Sequence, residues 1–164
     1  MTTTALQIAH FGEAIEQLSL STWVSESKSL LAYPTILWIH VMGMGVVAGI
    51  ASLISLRLLG VSPKTPLQPL ERLYPLIWTG FWVNAATGTA LLMASASKRL
   101  VDPVFFTKMV FIFVGVAVLQ RTRNKVFRSL GPNGEVPQSA KPLAWAALVC
   151  WLGAITAGRL LAYL

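Results

Sequence analysis

Three side chains able to bind anions or metals lie inside long apolar stretches of the sequence: His40, Lys108 and Arg159. Ionisable groups are costly inside a membrane, so their presence there suggests a functional site. A neutral imidazole nitrogen is a common metal ligand, whereas an ammonium or a guanidinium pairs with anionic groups. Together they predict a site for a metal ion, for an anionic ligand, or for a ligand that contains a metal and also carries anionic groups.

The elements that carry these residues follow from composition. The chain has 164 residues, of which 55% are hydrophobic and 12% charged, whereas a soluble domain usually has about 25% charged residues. The apolar residues lie in runs near the length of about 20 residues that a spanning helix needs. The sequence predicts an all-α fold, an integral membrane four-helix bundle over 34–164. Its spans are predicted over 34–59, 73–97, 104–120 and 143–164.

The segment 1–33 is predicted to lie apart from the bundle. Residues 5–20 have an amphipathic pattern that is too short and too polar to span, which predicts an interfacial helix on the membrane surface. One predicted face carries Leu6, Phe11, Ile15 and Leu18. Trp23 and Tyr33 are expected to anchor the chain at the membrane interface.

The net charge of +7 comes from 13 basic and 6 acidic residues. Basic residues that flank spans contact anionic lipid, so we expect a bilayer and no nucleic acid as partner. Eight of them fall on the side of the loops 61–72 and 121–142, and five on the other. The positive-inside rule then predicts a bacterial cytoplasmic membrane protein with these loops in the cytoplasm and both termini outward.

Counting from the predicted helix ends places the three ionisable residues at similar depth. At 1.5 Å per residue, His40 lies about 9 Å from Pro34, Lys108 about 8 Å from Pro103 and Arg159 about 8 Å from the C-terminus. The predicted topology puts all three in the outer leaflet. The first, third and fourth spans are therefore expected to form one pocket.

Helical periodicity suggests the lining of this pocket. Gly43 and Met44 share the His40 face, Gly115 shares the Lys108 face, and Met93 falls in the outer half of the second span. Thioether and imidazole are soft ligands suited to Cu(I) or to haem iron, although methionine is also a common filler of apolar helices. Two stripes of small residues are expected to pack helices together: Gly80, Asn84 and Gly88, and Gly45 with Gly49.

No hydrolase motif occurs in the sequence, no acidic residue lies inside a span, and the one cysteine, Cys150, excludes an intrachain disulfide. A CxxC motif is also absent. Whether the protein is an enzyme stays open at this point.

The runs WIHVMGMGVVAGIASLISLRLLG, TGTALLMASAS and FFTKMVFIFVGV carry a resemblance. The chain resembles an uncharacterised family of small bacterial four-helix membrane proteins. More remotely, it is similar to CopD-type copper-resistance membrane domains and to HemJ-type protoporphyrinogen oxidases. The HemJ-type resemblance implies haem b bound through His40, with Lys108 also essential. The CopD-type resemblance implies copper handling at the outer face.

Three hypotheses for function follow. One is haem b, with His40 ligating iron, Lys108 and Arg159 pairing with the propionates, and Met44 or Met93 as a further ligand. The second is copper handling by His40 and the methionines, which leaves the two cations without a role because they repel a metal ion. The third is a non-catalytic membrane subunit that packs against a protein partner or another copy. A quinone or an anionic lipid headgroup also satisfies the two cations.

Overall fold

The computed structural model describes residues 3–17, 21, 32–129, 137–161 and 163. Four of its helices are long. In chain order, the helices are α1 (Thr3–Glu16), α2 (Ala32–Leu59), α3 (Gln68–Glu71), α4 (Tyr74–Met93), α5 (Ala96–Arg99), α6 (Pro103–Lys125), a 3₁₀ turn at Phe127–Ser129, and α7 (Ala140–Leu160).

Local sequence explains where these helices begin and end. Pro75 and Pro103 occupy the first turns of α4 and α6, where a missing N–H costs nothing. Asp102 caps α6 by accepting a hydrogen bond from the Val104 amide at 2.8 Å, a typical N-cap. Gly60 ends α2 with φ +90°. Its amide donates to Arg57 O and that of Val61 to Leu56 O, which is a Schellman motif.

Within the described part of the chain, four segments are long and apolar enough to cross a membrane: Tyr33–Leu59, Gln68–Met93, Pro103–Lys125 and Ala140–Leu160. Each long helix turns a bulky apolar side chain outward, namely Trp38, Trp82, Phe113 and Trp145, all at least 61% exposed. Outward apolar surface of this extent is suited to lipid contact. The helical class and the four candidate spans predicted from the sequence are therefore confirmed.

The long helices pack as α4 against α2, α2 against α7, and α7 against α6. The core is concentrated toward the end that holds the C-termini of α2 and α6, which we call the basic end. There Tyr74 is 1% exposed, donates from Oη to Leu119 O at 3.3 Å, and meets the Phe127 ring edge-on. The Arg123 guanidinium lies over the Tyr74 ring at 5.4 Å. These contacts join α4 to α6 and close the bundle at this end.

The observed bounds differ from the predicted spans mainly in three helices. The second span was expected to continue to residue 97, but α4 ends at Met93 and the chain turns into the short helix α5. The third was expected to end at residue 120, whereas α6 continues through the basic run to Lys125. The fourth span was expected over 143–164, whereas α7 runs from Ala140 to Leu160.

The N-terminal segment contains a helix, α1, from Thr3 to Glu16. It packs against α5, with Gly12 buried at the contact and Phe11 65% exposed. Its placement on a membrane surface stays a prediction. Leu18 and the proposed anchor Trp23 lie outside the described residues.

Candidate ligand-binding cavity

A cavity of about 560 Å³ opens at the end opposite the basic end, within the range of roughly 300–1,000 Å³ typical of small-molecule sites. We call it the His40 cavity. Its walls come from the first half of α2, the last turns of α4 and α7, the start of α6, and α5 with the turn before it. Its lining includes Leu37, His40, Val41, Met44, Gly45, Gly88, Arg99, Lys108 and Arg159.

Hydrogen bonds to α4 determine which nitrogen of His40 carries the proton. Nδ1 lies 3.1 Å from Asn84 O and 3.0 Å from Thr87 Oγ1. A carbonyl oxygen only accepts, and the Thr87 hydroxyl donates its own hydrogen to Val83 O at 2.7 Å. Nδ1 must therefore be the donor to both, so the neutral ring keeps its lone pair on Nε2. Nε2 has no partner among the described residues.

Gly88 provides the space in which the imidazole lies. A Cβ built on Gly88 would be 3.0 Å from His40 Cε1 and 3.5 Å from Nδ1. Any larger residue would push the ring away from α4 or deform the helix contact. The stripe Gly80–Asn84–Gly88 does pack against α2, as expected, because a Cβ on Gly80 would be 3.2 Å from Gly43 O.

Lys108 crosses from α6 to the last turn of α7. A Cβ built on Gly158 would lie 3.6 Å from Lys108 Cε and 3.7 Å from Nζ, so the side chain rests on the surface that this glycine leaves open. The last turn of a helix carries a partial negative charge, which favours an ammonium at this place. Arg159 lines the same cavity from the next residue of α7.

Arg99 is a lining residue that the sequence did not predict. It was expected beyond the end of the second span, but the turn after Met93 brings it to the cavity. Its Nη1 donates to Leu161 O at 2.6 Å. Since a guanidinium has five N–H groups, this bond anchors the side chain to the end of α7 and leaves other donors for a ligand.

Among the described residues that line it, the cavity therefore combines one imidazole with three cations and has no carboxylate. The ion pairs within the described residues are His10–Glu13 and Arg123–Glu71, and both lie away from the cavity. Within the described residues, Arg99, Lys108 and Arg159 have no carboxylate partner. Such an excess of positive charge favours an anionic ligand.

The structure brings together His40, Lys108, Arg159 and Met44, but not every residue predicted to line the pocket. Gly43 faces α4, where a Cβ would lie 3.1 Å from Gly80 O. Gly115 faces α7, where a Cβ would lie 3.4 Å from Trp151 Cε2. Met93 does not line the cavity, and its backbone oxygen accepts from Ser21 Oγ at 2.7 Å.

The residues at the cavity supply few ligands for a metal ion. Of the four methionines within helices, Met44 lines the cavity, whereas Met42, Met93 and Met109 do not. Within the described part of the chain, no cluster of three or more His, Cys, Asp or Glu side chains is placed to hold a metal ion. The arrangement offers one strong ligand, His40 Nε2, rather than a set of ligands that would enclose a free ion.

Comparison of the chain with protein-family models, with curated proteins and with solved structures finds no match. The resemblance stated from the sequence therefore stays a prediction.

Proposed function

We propose that the protein is a multi-pass protein of the bacterial cytoplasmic membrane that binds haem b in the His40 cavity for redox chemistry. In this proposal both termini face outward, so the cavity lies in the outer leaflet. His40 would ligate the iron through Nε2.

The observation that carries the proposal is the pair of hydrogen bonds from His40 Nδ1 to Asn84 O and Thr87 Oγ1. Histidines that ligate metals almost always donate their other ring N–H to an oxygen, which holds the tautomer and orients the ring. A histidine that merely bonded a neighbouring helix would need only one such bond. Here the ring is oriented by two, and its lone pair stays free.

The positive charge of the cavity also supports haem as the ligand. Haem b carries two propionates, and Lys108, Arg159 and Arg99 offer three positive groups at the cavity. Pairing across a low-dielectric region is much stronger than in water. It also explains why cations occur within apolar helices that have no acidic residue to pair with them.

The residues present fit the cofactor. The cavity volume of about 560 Å³ is suited to a ligand of this class, and its apolar lining includes Met44, whose thioether would supply a further ligand. When bound, haem would supply one-electron exchange at iron. The chain itself would hold the ring, neutralise the propionates, and tune the iron through the hydrogen bonds of His40.

An absorption spectrum of the purified protein, oxidised and dithionite-reduced, tests the proposal. We expect a Soret band that is lost in His40→Ala and kept in His10→Ala. His10 is a matched control because it lies on α1 with its side chain exposed and paired with Glu13 at 3.2 Å. A colourless, iron-free protein expressed with ample haem would reject haem binding.

A second candidate is a non-catalytic subunit of a larger membrane complex or a homo-oligomer. It is favoured by the stripe of Gly45 and Gly49, where a built Cβ meets nothing within 4 Å. Small residues on an open helix face allow close approach of another helix. Purification in mild detergent distinguishes the two, since a monomer that retains a coloured cofactor would exclude the subunit hypothesis. Copper handling is the weaker alternative. Only two of the described lining residues, His40 and Met44, are soft donors, and two ligands would not enclose a free copper ion.

A further inference from the structure

We infer that the His40 cavity takes its ligand sideways from the lipid phase, through an opening along one face of α2. The ligand class is an amphiphile with an apolar body and at least one anionic group. This inference rests on the proposed membrane location and ligand binding, and it adds the route of entry and the class of compound.

We place the opening at residues that both line the cavity and are exposed. Leu37 and Val41 line it and are 40% and 59% exposed. Gly45, one further turn along, also lines it, and a Cβ at this position would meet nothing within 4 Å. Because these residues are spaced by four, they form one strip on the helix. Along this strip the cavity reaches the outer surface of the helices.

The opposite wall is closed. His40 is 9% exposed, Gly88 contacts its ring, and Thr87 holds Nδ1. A ligand cannot pass between α2 and α4 at this level without separating these contacts. The imidazole therefore lies at the back of the cavity as seen from the strip.

The strip lies at a depth where the surroundings of the protein would be hydrocarbon. Gly45 is near the midpoint of the 27-residue candidate span Tyr33–Leu59. It lies five residues beyond His40, or about 7.5 Å deeper along the axis. An opening that extends so far toward the middle of the span meets acyl chains along most of its length, so its natural supply of ligand is the bilayer.

The polarity of the walls gives the ligand class. Arg99 belongs to the short helix after α4, and its guanidinium is anchored at the C-terminal end of α7 through Leu161 O. The deeper lining on α2 is apolar, with Val41, Met44 and Gly45. A ligand that satisfies both regions has an anionic head toward Arg99 and an apolar body along α2. Haem and a fatty acid share this chemistry.

The experiment uses the full chain in phosphatidylcholine nanodiscs and compares Gly45→Leu with Gly49→Leu. Both glycines lie on α2 with open space at the Cβ, but only Gly45 lines the cavity. The first probe is a dansyl-labelled fatty acid dissolved in the lipid. We expect saturable binding of the acid and not of its methyl ester. We also expect Gly45→Leu to slow uptake several-fold and Gly49→Leu to leave the rate unchanged.

A second arm supplies haemin from the lipid and follows the Soret band over time. It distinguishes a porphyrin carboxylate from an acyl carboxylate as the head that the cavity takes. If haemin never binds but the fatty acid does, haem binding fails and the lateral route stands. If haemin binds and both leucine variants load at the wild-type rate, haem binding stands and the lateral route is overturned. Equal binding of acid and methyl ester would overturn the anionic class.

Discussion

At the scale of single residues, the environment of His40 depends on two uncharged residues of α4, Gly88 and Thr87. Gly88 leaves the space for the ring, and Thr87 accepts a hydrogen bond from Nδ1. The first contact is steric and the second is polar. They can therefore be removed separately, each with a control on a nearby residue.

Gly88→Ala should move the imidazole, because the new Cβ would lie 3.0 Å from Cε1. We expect a chain that still folds, with haem affinity reduced several-fold and a changed Soret spectrum. Gly49→Ala is the control, since its Cβ meets nothing within 4 Å. That change should be neutral or stabilise the helix by about 0.5–1 kcal/mol. Titration with haemin measures the difference, and equal affinities would show that Gly88 does not constrain the ring.

Thr87→Val keeps the shape of the side chain and removes the acceptor of one His40 hydrogen bond. We expect haem affinity to fall by about 10–100-fold, the usual effect of losing an outer partner of a ligating histidine. Thr89→Val is matched, because Thr89 also donates to a carbonyl four residues earlier but is exposed. Haemin titration of both variants checks this. A similar loss of haem affinity in both variants would show that the substitutions act by disturbing α4 and not through the hydrogen bond to His40.

Residue counting along the predicted spans was enough to bring together His40, Lys108 and Arg159. It could not assign Gly43, because sharing a helix face with His40 says nothing about which neighbour packs there, and α4 covers Gly43. Arg99 was missed for a different reason. It reaches the cavity through a turn, and no periodic pattern predicts where a chain leaving a helix will go.

At the scale of elements, α5 connects the N-terminal helix to the cavity. Glu16 Oε1 accepts from Ser97 N at 2.9 Å and from Ser97 Oγ at 2.8 Å. Gly12 is in close contact with the same short helix, since a Cβ there would be 2.5 Å from Ser97 Cα. Because α5 also carries Arg99, α1 holds the element that presents one of the three cations.

Glu16→Ala should loosen both helices. It removes two hydrogen bonds to a carboxylate, a loss of about 1–3 kcal/mol in local stability when a donor is left without a partner. Hydrogen exchange should show faster opening of α1 and α5. Glu13→Ala is the control, because Glu13 pairs with exposed His10 and such surface pairs contribute little. If the two variants exchange alike, the Glu16 contacts do not hold α1 in place.

The helices themselves were predictable from hydropathy, but several of their ends were not. Arginine and lysine are good helix formers, so the basic run does not stop α6, which continues to Lys125. The end of α4 at Met93 falls in a stretch without proline or glycine. No residue there forbids a helix, and the short helix that follows the turn, α5, packs against α1.

At the scale of the whole molecule, the two ends of the bundle are packed differently. The basic end is closed by Tyr74 and its contacts with Leu119 and Phe127. The opposite end is open around His40, and the described residues that line it include cations but no carboxylate. Close packing of the first end supplies the rigidity that an open cavity at the second end lacks. The chain can therefore keep polar groups in a binding site without losing its fold.

The orientation of these ends in the membrane is the last prediction. The positive-inside rule places the basic end in the cytoplasm, so the His40 cavity should be accessible from outside. The test uses Cys150→Ala, which removes the one native thiol, combined with either Val61→Cys or Val101→Cys. Both valines are exposed, at 69% and 37%, lie in turns at opposite ends, and carry no charge, so neither change alters the charge balance. An impermeant maleimide should label Val101→Cys in intact cells and Val61→Cys only after permeabilisation, and the reverse pattern would place the cavity on the cytoplasmic side.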